Sequence, residues 1–142
     1  MRLLLGLVCS LVCFACQRPD FKPDAIEQDY LTLGKGGGMT NQVDTYYVLA
    51  DGYVHHHDQL TKTYEPLGRL DKADRTRTFA QATALADSLN DYQEPGNLYY
   101  FLTIHRPDTT RSFTWGNRHA PPPEAVSSLY QQIQQSIQAL PQ

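Results

Sequence analysis

The stretch that decides the fold is residues 43–58, which read Val-Asp-Thr-Tyr-Tyr-Val-Leu-Ala-Asp-Gly-Tyr-Val-His-His-His-Asp. Residues 43–49 and 53–57 are rich in β-branched and aromatic side chains, which favour strands. Between them stands Asp51-Gly52, a dipeptide preferred in the two-residue type I′ turn of a β-hairpin. The stretch therefore predicts two antiparallel strands joined by a tight turn.

A two-residue turn also predicts which side chains share a face of this hairpin. It places Leu49 opposite Val54 and Tyr46 opposite His57, and side chains alternate between faces along each strand. One face then carries Val43, Tyr47, Leu49, Val54 and His56, and the other carries Tyr46, Val48, Tyr53, His55 and His57. The first face is the better core candidate, so we expect His55 and His57 on an open side of the sheet.

Strand patterns also flank this hairpin on both sides. Residues 25–33 are a candidate for a first strand, and further strands are predicted at residues 63–70, 98–104 and 112–115, the last two forming a second hairpin. Pro66 and Gly68 predict that the strand in which they lie is an edge strand or a bulged one. The glycine-rich run at 34–38 lacks the Gly-Lys-Ser/Thr ending and the following helix of a phosphate-binding loop, so it predicts a flexible turn or bulge.

Two helices are predicted from their caps and apolar spacing. The first covers residues 72–89 after the capping Asp71, and its stripe contains Phe79, Ala82, Ala86 and Leu89. The second follows Pro121-Pro122-Pro123. Its apolar stripe contains Val126, Leu129, Tyr130, Ile133, Ile137 and Leu140, opposite a glutamine-rich face. We expect one α+β domain over residues 25–142, with an antiparallel sheet of about four to five strands from two hairpins and two helices packed on one face.

The size and charge of the chain limit its function. Its 142 residues suffice for one domain, and 12 basic against 15 acidic residues give a formal charge of −3. This balance argues against an extended phosphate-binding surface, so we expect no nucleic-acid partner.

The N-terminus has the pattern of an export signal. Arg2 precedes the uncharged, mostly apolar residues 3–15, a run too short to span a bilayer comfortably. The run ends at Ala15-Cys16, and here the sequence resembles a bacterial lipoprotein signal, in which a small residue precedes a cysteine that is lipidated and becomes the new N-terminus. The resemblance implies a signal peptide over 1–15, a lipid on Cys16 and a membrane-anchored protein of the cell envelope, on its periplasmic or surface side.

Three alternatives stay open for this segment: lipidation at Cys13, a plain signal peptide, or an uncleaved apolar anchor. Residues 16–24 hold two prolines and four charges, which predicts an extended, lipid-anchored tether. The cysteines are Cys9, Cys13 and Cys16, so cleavage before Cys16 would leave no thiol for a disulfide or a cysteine-based zinc site.

Beyond the signal, the order of strands and helices and the Gly-Gly-Gly, Asp-Gly and Trp-Gly-Asn turns resemble small uncharacterised bacterial lipoproteins. The resemblance implies a location and a non-enzymatic role, and it carries over no catalytic residue. We therefore expect a binding or accessory module whose partner is another envelope protein. The contact surface would be the open sheet face, with Tyr46 and Tyr53 as candidate residues, or the glutamine-rich helix.

The histidine run suggests a second function. Histidines at i and i+2 of a strand point to the same side, so His55 and His57 are candidates for a metal or small-ligand site. His105, His119 or Asp58 would be the third ligand, and neither a cofactor nor a defined metal site is predicted. A small hydrolase is a third hypothesis, but the chain has no G-x-S-x-G motif, so we expect no enzyme.

Overall fold

The structure is a computed structural model that describes residues 21–141. A short 3₁₀ helix at Pro23–Ala25 precedes the first strand. The strands are β1 (Tyr30–Gly37), β2 (Gln42–Leu49), β3 (Tyr53–Asp58), β4 (Thr63–Arg69), β5 (Tyr92–Glu94), β6 (Leu98–His105) and β7 (Thr110–Trp115). The helices are α1 (Lys72–Ser88), between β4 and β5, and α2 (Glu124–Gln138), after β7. The α+β class predicted from the sequence is confirmed.

The described residues form one sheet of seven strands in the order β4-β3-β2-β1-β6-β7-β5. All neighbours are antiparallel except β5 and β7, which run parallel. The predicted number of four to five strands is therefore too low, and the sheet is mixed. Strand β5 was not predicted, because its three residues are held by pairing with β7 rather than by a pattern of their own.

The first strand begins later and ends later than predicted, because the glycine run is part of it. A side-chain carbon on Gly36 would lie 2.5 Å from the Tyr99 hydroxyl, and one on Gly34 would collide with the Asp44 carbonyl and lie 3.0 Å from the Phe101 ring. Glycine is needed there because neighbouring groups approach the backbone closely. The turn itself starts at Gly37 and Gly38, both with positive φ.

The turn of the first hairpin is three residues long rather than two. Gly52 has φ +96°, Asp51 is not among the non-glycine residues with positive φ, and the Gly52 N–H donates to the Leu49 carbonyl at 2.8 Å. This is the geometry of a type I turn followed by a left-handed glycine, whereas type I′ needs positive φ at both central residues. The extra residue shifts the pairing by one, so Val48 faces Val54 and Tyr46 faces His56.

That shift corrects the predicted faces, because a one-residue slip exchanges the faces of one strand relative to the other. The helix side of the hairpin carries Tyr46, Val48, Val54 and His56, and the opposite side carries Tyr47, Leu49, Tyr53, His55 and His57. The predicted faces of all five named β2 residues were wrong: Val43, Tyr46, Tyr47, Val48 and Leu49. His55 and His57 lie on the open side as predicted.

Both helices pack on one side of the sheet and form the core with it. The core residues from the helices are Ala82, Leu85, Ala86, Val126, Leu129, Ile133 and Ile137, and those from the strands include Leu31, Leu33, Val48, Val54, Leu102, Ile104 and Phe113. Helix α1 begins as predicted, with the Asp71 carboxylate accepting the Asp74 N–H at 2.8 Å. Strand β4 lies at the sheet edge, and the bulge opposite Val54 and His55 confirms the interpretation of Pro66 and Gly68.

The predicted signal peptide and Cys16 lie outside the described residues. Of the predicted tether, the structure describes residues 21–24, in which Phe21 packs on the sheet and Pro23 starts the 3₁₀ helix. In the part of the chain from 21 to 141, neither helix has the length and apolar character required to cross a membrane.

Candidate functional site

The candidate site is the side of the sheet opposite the two helices, which we call the open face. Its residues alternate with the core residues of the same strands, and most of their side chains are half-buried. They include Tyr30, Thr32, Thr45, Tyr47, His55, His57, Tyr64, Phe101, Thr103, His105, Ser112 and Thr114. Aromatic rings, imidazoles and small hydroxyl side chains dominate this surface.

Phe21 occupies one half of the open face. Its ring stacks on His55, with centroids 4.0 Å apart and planes at 11°, and meets Tyr47 and Tyr64 edge-on at 5.4 and 5.3 Å. We call these four residues the Phe21 cluster. The burial that results lowers the pKa of His55, an effect opposed by Asp51, and burial together with Tyr64 raises the pKa of Tyr47 to about 12. The neutral forms of both side chains are therefore favoured.

A second stacked pair lies on the neighbouring strands β1 and β6. The rings of Tyr30 and His105 are 4.1 Å apart and nearly parallel, and Thr32 Oγ1 lies 3.2 Å from His105 Nε2. Burial lowers the pKa of His105. Each ring thus covers one face of the other, and the parts that point outward are mainly the ring edges and the polar atoms.

His55 and His57 share the open face, but their surroundings do not resemble a metal centre. Phe21 covers the His55 ring, whose buried Nδ1 atom has no hydrogen-bond partner. His57 stacks on Tyr64 at 4.6 Å. A metal binds through ring nitrogens that lie in the plane of each imidazole, so a site would require nitrogens of both rings to converge with a third ligand.

The three proposed third ligands are placed elsewhere. Asp58 accepts the backbone N–H of Leu60 at 2.8 Å, and this bond, with that of Thr61, lowers the pKa of Asp58. His105 lies on β6, three strands and about 14 Å from β3. His119 is exposed in the loop after β7. Among residues 21–141, no group of three His, Cys, Asp or Glu side chains is arranged to hold a metal ion.

Tyr46 and Tyr53, predicted together as an interaction surface, lie on opposite sides of the sheet. Tyr53 is 40% exposed, with the Arg69 guanidinium 5.2 Å from its ring centroid. Tyr46 lies on the helix side with its ring 4.9 Å from His56. Burial and the nearby Asp44 raise the pKa of Tyr46.

A histidine–carboxylate pair on the helix side was not predicted from the sequence. His56 Nε2 lies 2.5 Å from Asp44 Oδ1, and both side chains are about one-third exposed or less, at 26% and 35%. The pair depends on the register of the β2–β3 hairpin. Asp44 lies two residues before Tyr46, which faces His56, whereas the predicted two-residue turn would put Asp44 and His56 on opposite faces. The Tyr46 ring lies beside the pair, 4.9 Å from that of His56.

A shallow cavity of about 350 Å³ opens at the end of the sheet where the β1–β2 and β3–β4 turns meet. Leu60 and Leu98 lie at it with 74% and 49% of their surface exposed, and His57 and Asp58 line its polar part. The carboxylates that line it are already bonded, Asp44 to His56 and Asp58 to the turn. The cavity is therefore lined by both polar and apolar groups, as the neighbouring open face is.

The comparisons with known proteins add no family. No protein-family model matches the chain, and no curated protein matches it.

Proposed function

We propose that the protein is a lipid-anchored envelope protein that acts without catalysis, as a binding module for another envelope protein through the open face. The observation that carries the proposal is the layer order of the domain. Both helices pack on one side of the sheet, and within residues 21–141 only the chain around Phe21 covers part of the other side.

The chemistry of the open face fits a protein partner better than an ionic ligand. Tyrosine and histidine edges offer apolar area together with hydrogen-bonding atoms, a combination enriched in protein interfaces. The threonine and serine hydroxyls of β1, β6 and β7, such as those of Thr103 and Ser112, add uncharged donors and acceptors. The anchor is supported by the sequence pattern ending at Ala15-Cys16.

A crosslinking pull-down of the tagged, lipidated protein from native membranes tests both parts. Cys16→Ser is expected to abolish membrane association. Thr114→Arg places a large cation on the open face and is expected to remove a near-stoichiometric partner, whereas Gln131→Arg, on the exposed side of α2, is expected to retain it. Loss of the partner with Gln131→Arg alone would assign binding to the helices and contradict the proposal.

Metal or small-ligand binding through His55 and His57 is the alternative function. Their common face supports it, whereas within residues 21–141 no third His, Cys, Asp or Glu side chain is placed to complete a site with them. We expect zinc titration to give the same affinity for the parent chain and the His55→Ala/His57→Ala double variant. A markedly weaker affinity in the double variant would favour the alternative.

A further inference from the structure

The position of Phe21 bears on where the open face is held in the cell. Phe21 is anchored to the sheet by three aromatic contacts, of which the stack on His55 is the closest at 4.0 Å. Stacked and edge-to-face aromatic pairs of this kind stabilise a structure beyond the area that they bury. These contacts hold Phe21 on the open face and so define where the chain enters the domain.

The chain that follows Phe21 stays close to the same sheet. Pro23–Ala25 form the 3₁₀ helix, and the Ala50 N–H donates to the Asp29 carbonyl at 3.0 Å. Residues between Phe21 and Gln28 also line a common cavity with Leu49, a residue on the open-face side of β2. The N-terminal segment therefore enters the domain over the open face and not over the helices.

The proposed anchor lies only five residues before Phe21. Five residues span at most about 18 Å when fully extended. A lipid on Cys16 would therefore hold the Phe21 half of the open face within about 18 Å of the attachment point at the bilayer surface. The helices pack on the opposite side of the sheet from Phe21, so the helix layer is the side of the domain that faces away from this attachment.

The charges near the open face disfavour the lipids themselves as its occupant. Binding to anionic lipid surfaces depends on clusters of lysine and arginine. Residues 22–29 contain one lysine against three acidic residues, and Arg69, beside Tyr53, adds one cation to the open face, where it donates to the Asp51 carbonyl at 2.9 Å. These residues do not form the cationic cluster that an anionic headgroup layer would attract, and a protein surface is the better match.

We propose that Phe21 turns the open face toward the bilayer, so that its partner is a protein embedded in, or anchored to, the same membrane leaflet. The proposal rests on the lipid anchor and on the open-face binding proposed above. It names the class of partner and the geometry of the encounter, which the proposed function leaves open.

Orientation is measured first, with the lipidated protein in neutral vesicles of phosphatidylethanolamine and phosphatidylcholine. Thr114→Cys on the open face and Gln131→Cys on α2 each supply a thiol for a fluorophore, since cleavage removes Cys9 and Cys13 and the lipid occupies Cys16. Energy transfer to headgroup-labelled lipids is expected to be at least twofold more efficient from position 114. Adding Phe21→Ala to each variant is expected to remove most of the difference.

Equal transfer from both positions, or stronger transfer from position 131, in protein that floats with the vesicles would overturn the orientation while leaving the anchor intact. Protein that fails to float would overturn the anchor and the inference together. A Phe21→Ala variant that keeps the full difference would show that Phe21 does not set the orientation.

The partner is tested in native membranes with a photo-crosslinking amino acid at position 114. The expected adduct is a protein that stays with the bilayer after alkaline carbonate extraction, and it is absent when the crosslinker is at position 131. An adduct to a carbonate-soluble protein, to lipid alone, or to a second copy of this chain would each overturn the proposed partner.

Discussion

The corrected hairpin register makes a quantitative prediction for Val48. This side chain is fully buried and lies between Leu31 on β1 and Val54 on β3, both also buried. Val48→Ala removes two methyl groups, a transfer loss of about 1.6 kcal/mol at about 0.8 kcal/mol per carbon. A residual cavity of roughly 50 Å³ adds about 1 kcal/mol at about 24 cal/mol per Å³. We therefore expect the free energy of unfolding to fall by about 2–3 kcal/mol.

Thr45→Ala is the matched control, because it removes a β-branched side chain from the opposite face of the same strand. Both variants lose similar strand preference, so their difference isolates burial. Urea titration of residues 16–142 carrying Cys16→Ser is followed by the fluorescence of Trp115, the single tryptophan, which is 9% exposed. A loss below about 0.5 kcal/mol for Val48→Ala, or a larger loss for Thr45→Ala, would refute the register and favour the two-residue turn.

Three further predictions concern pH, capping and close packing. Burial lowers the pKa of His55 and His105 in the folded chain, so the unfolded chain takes up more protons below about pH 6.5. The free energy of unfolding should therefore fall as the pH is lowered from about 7.5 to about 5.5. Urea midpoints should show a smaller fall in a His55→Gln/His105→Gln variant. Asp71→Ala should lower the stability by about 1 kcal/mol, with Asp71→Ser largely restoring it in thermal melts. Gly34→Ala should cost at least about 2 kcal/mol or prevent folding, because its Cβ would collide with the Asp44 carbonyl; near-normal urea unfolding would contradict that packing.

The helices and most strands could be predicted because their signals are local. Helix α1 has its cap at Asp71 and its apolar stripe within a few turns, and α2 has a regular apolar spacing. The Asp51-Gly52 turn was located correctly, but its length was not. Either turn type accepts this dipeptide, and the choice depends on whether Val48 or Leu49 reaches the core beside Val54.

The sequence could not show the contacts between segments that are distant along the chain. Strand β5 exists only through its pairing with β7, and the glycines of β1 are explained by Tyr99 and Phe101 on β6. For the candidate site, the common face of His55 and His57 followed from strand alternation. The stacking of Phe21 on His55 did not, because no local pattern links the two segments.

The central position of β1 also shapes how the protein folds. This first strand pairs with β6, where Thr32 and His105 are 73 residues apart, and the Tyr130 hydroxyl of α2 bonds the Gly34 carbonyl across 96 residues. Such distant pairings carry a large loop-closure entropy and slow folding. A chain emerging from the ribosome can form the β2–β3 hairpin early, but its sheet cannot close until β6 is available. The order of the elements thus delays completion of the sheet until most of the chain has been made, which fits the export proposed above.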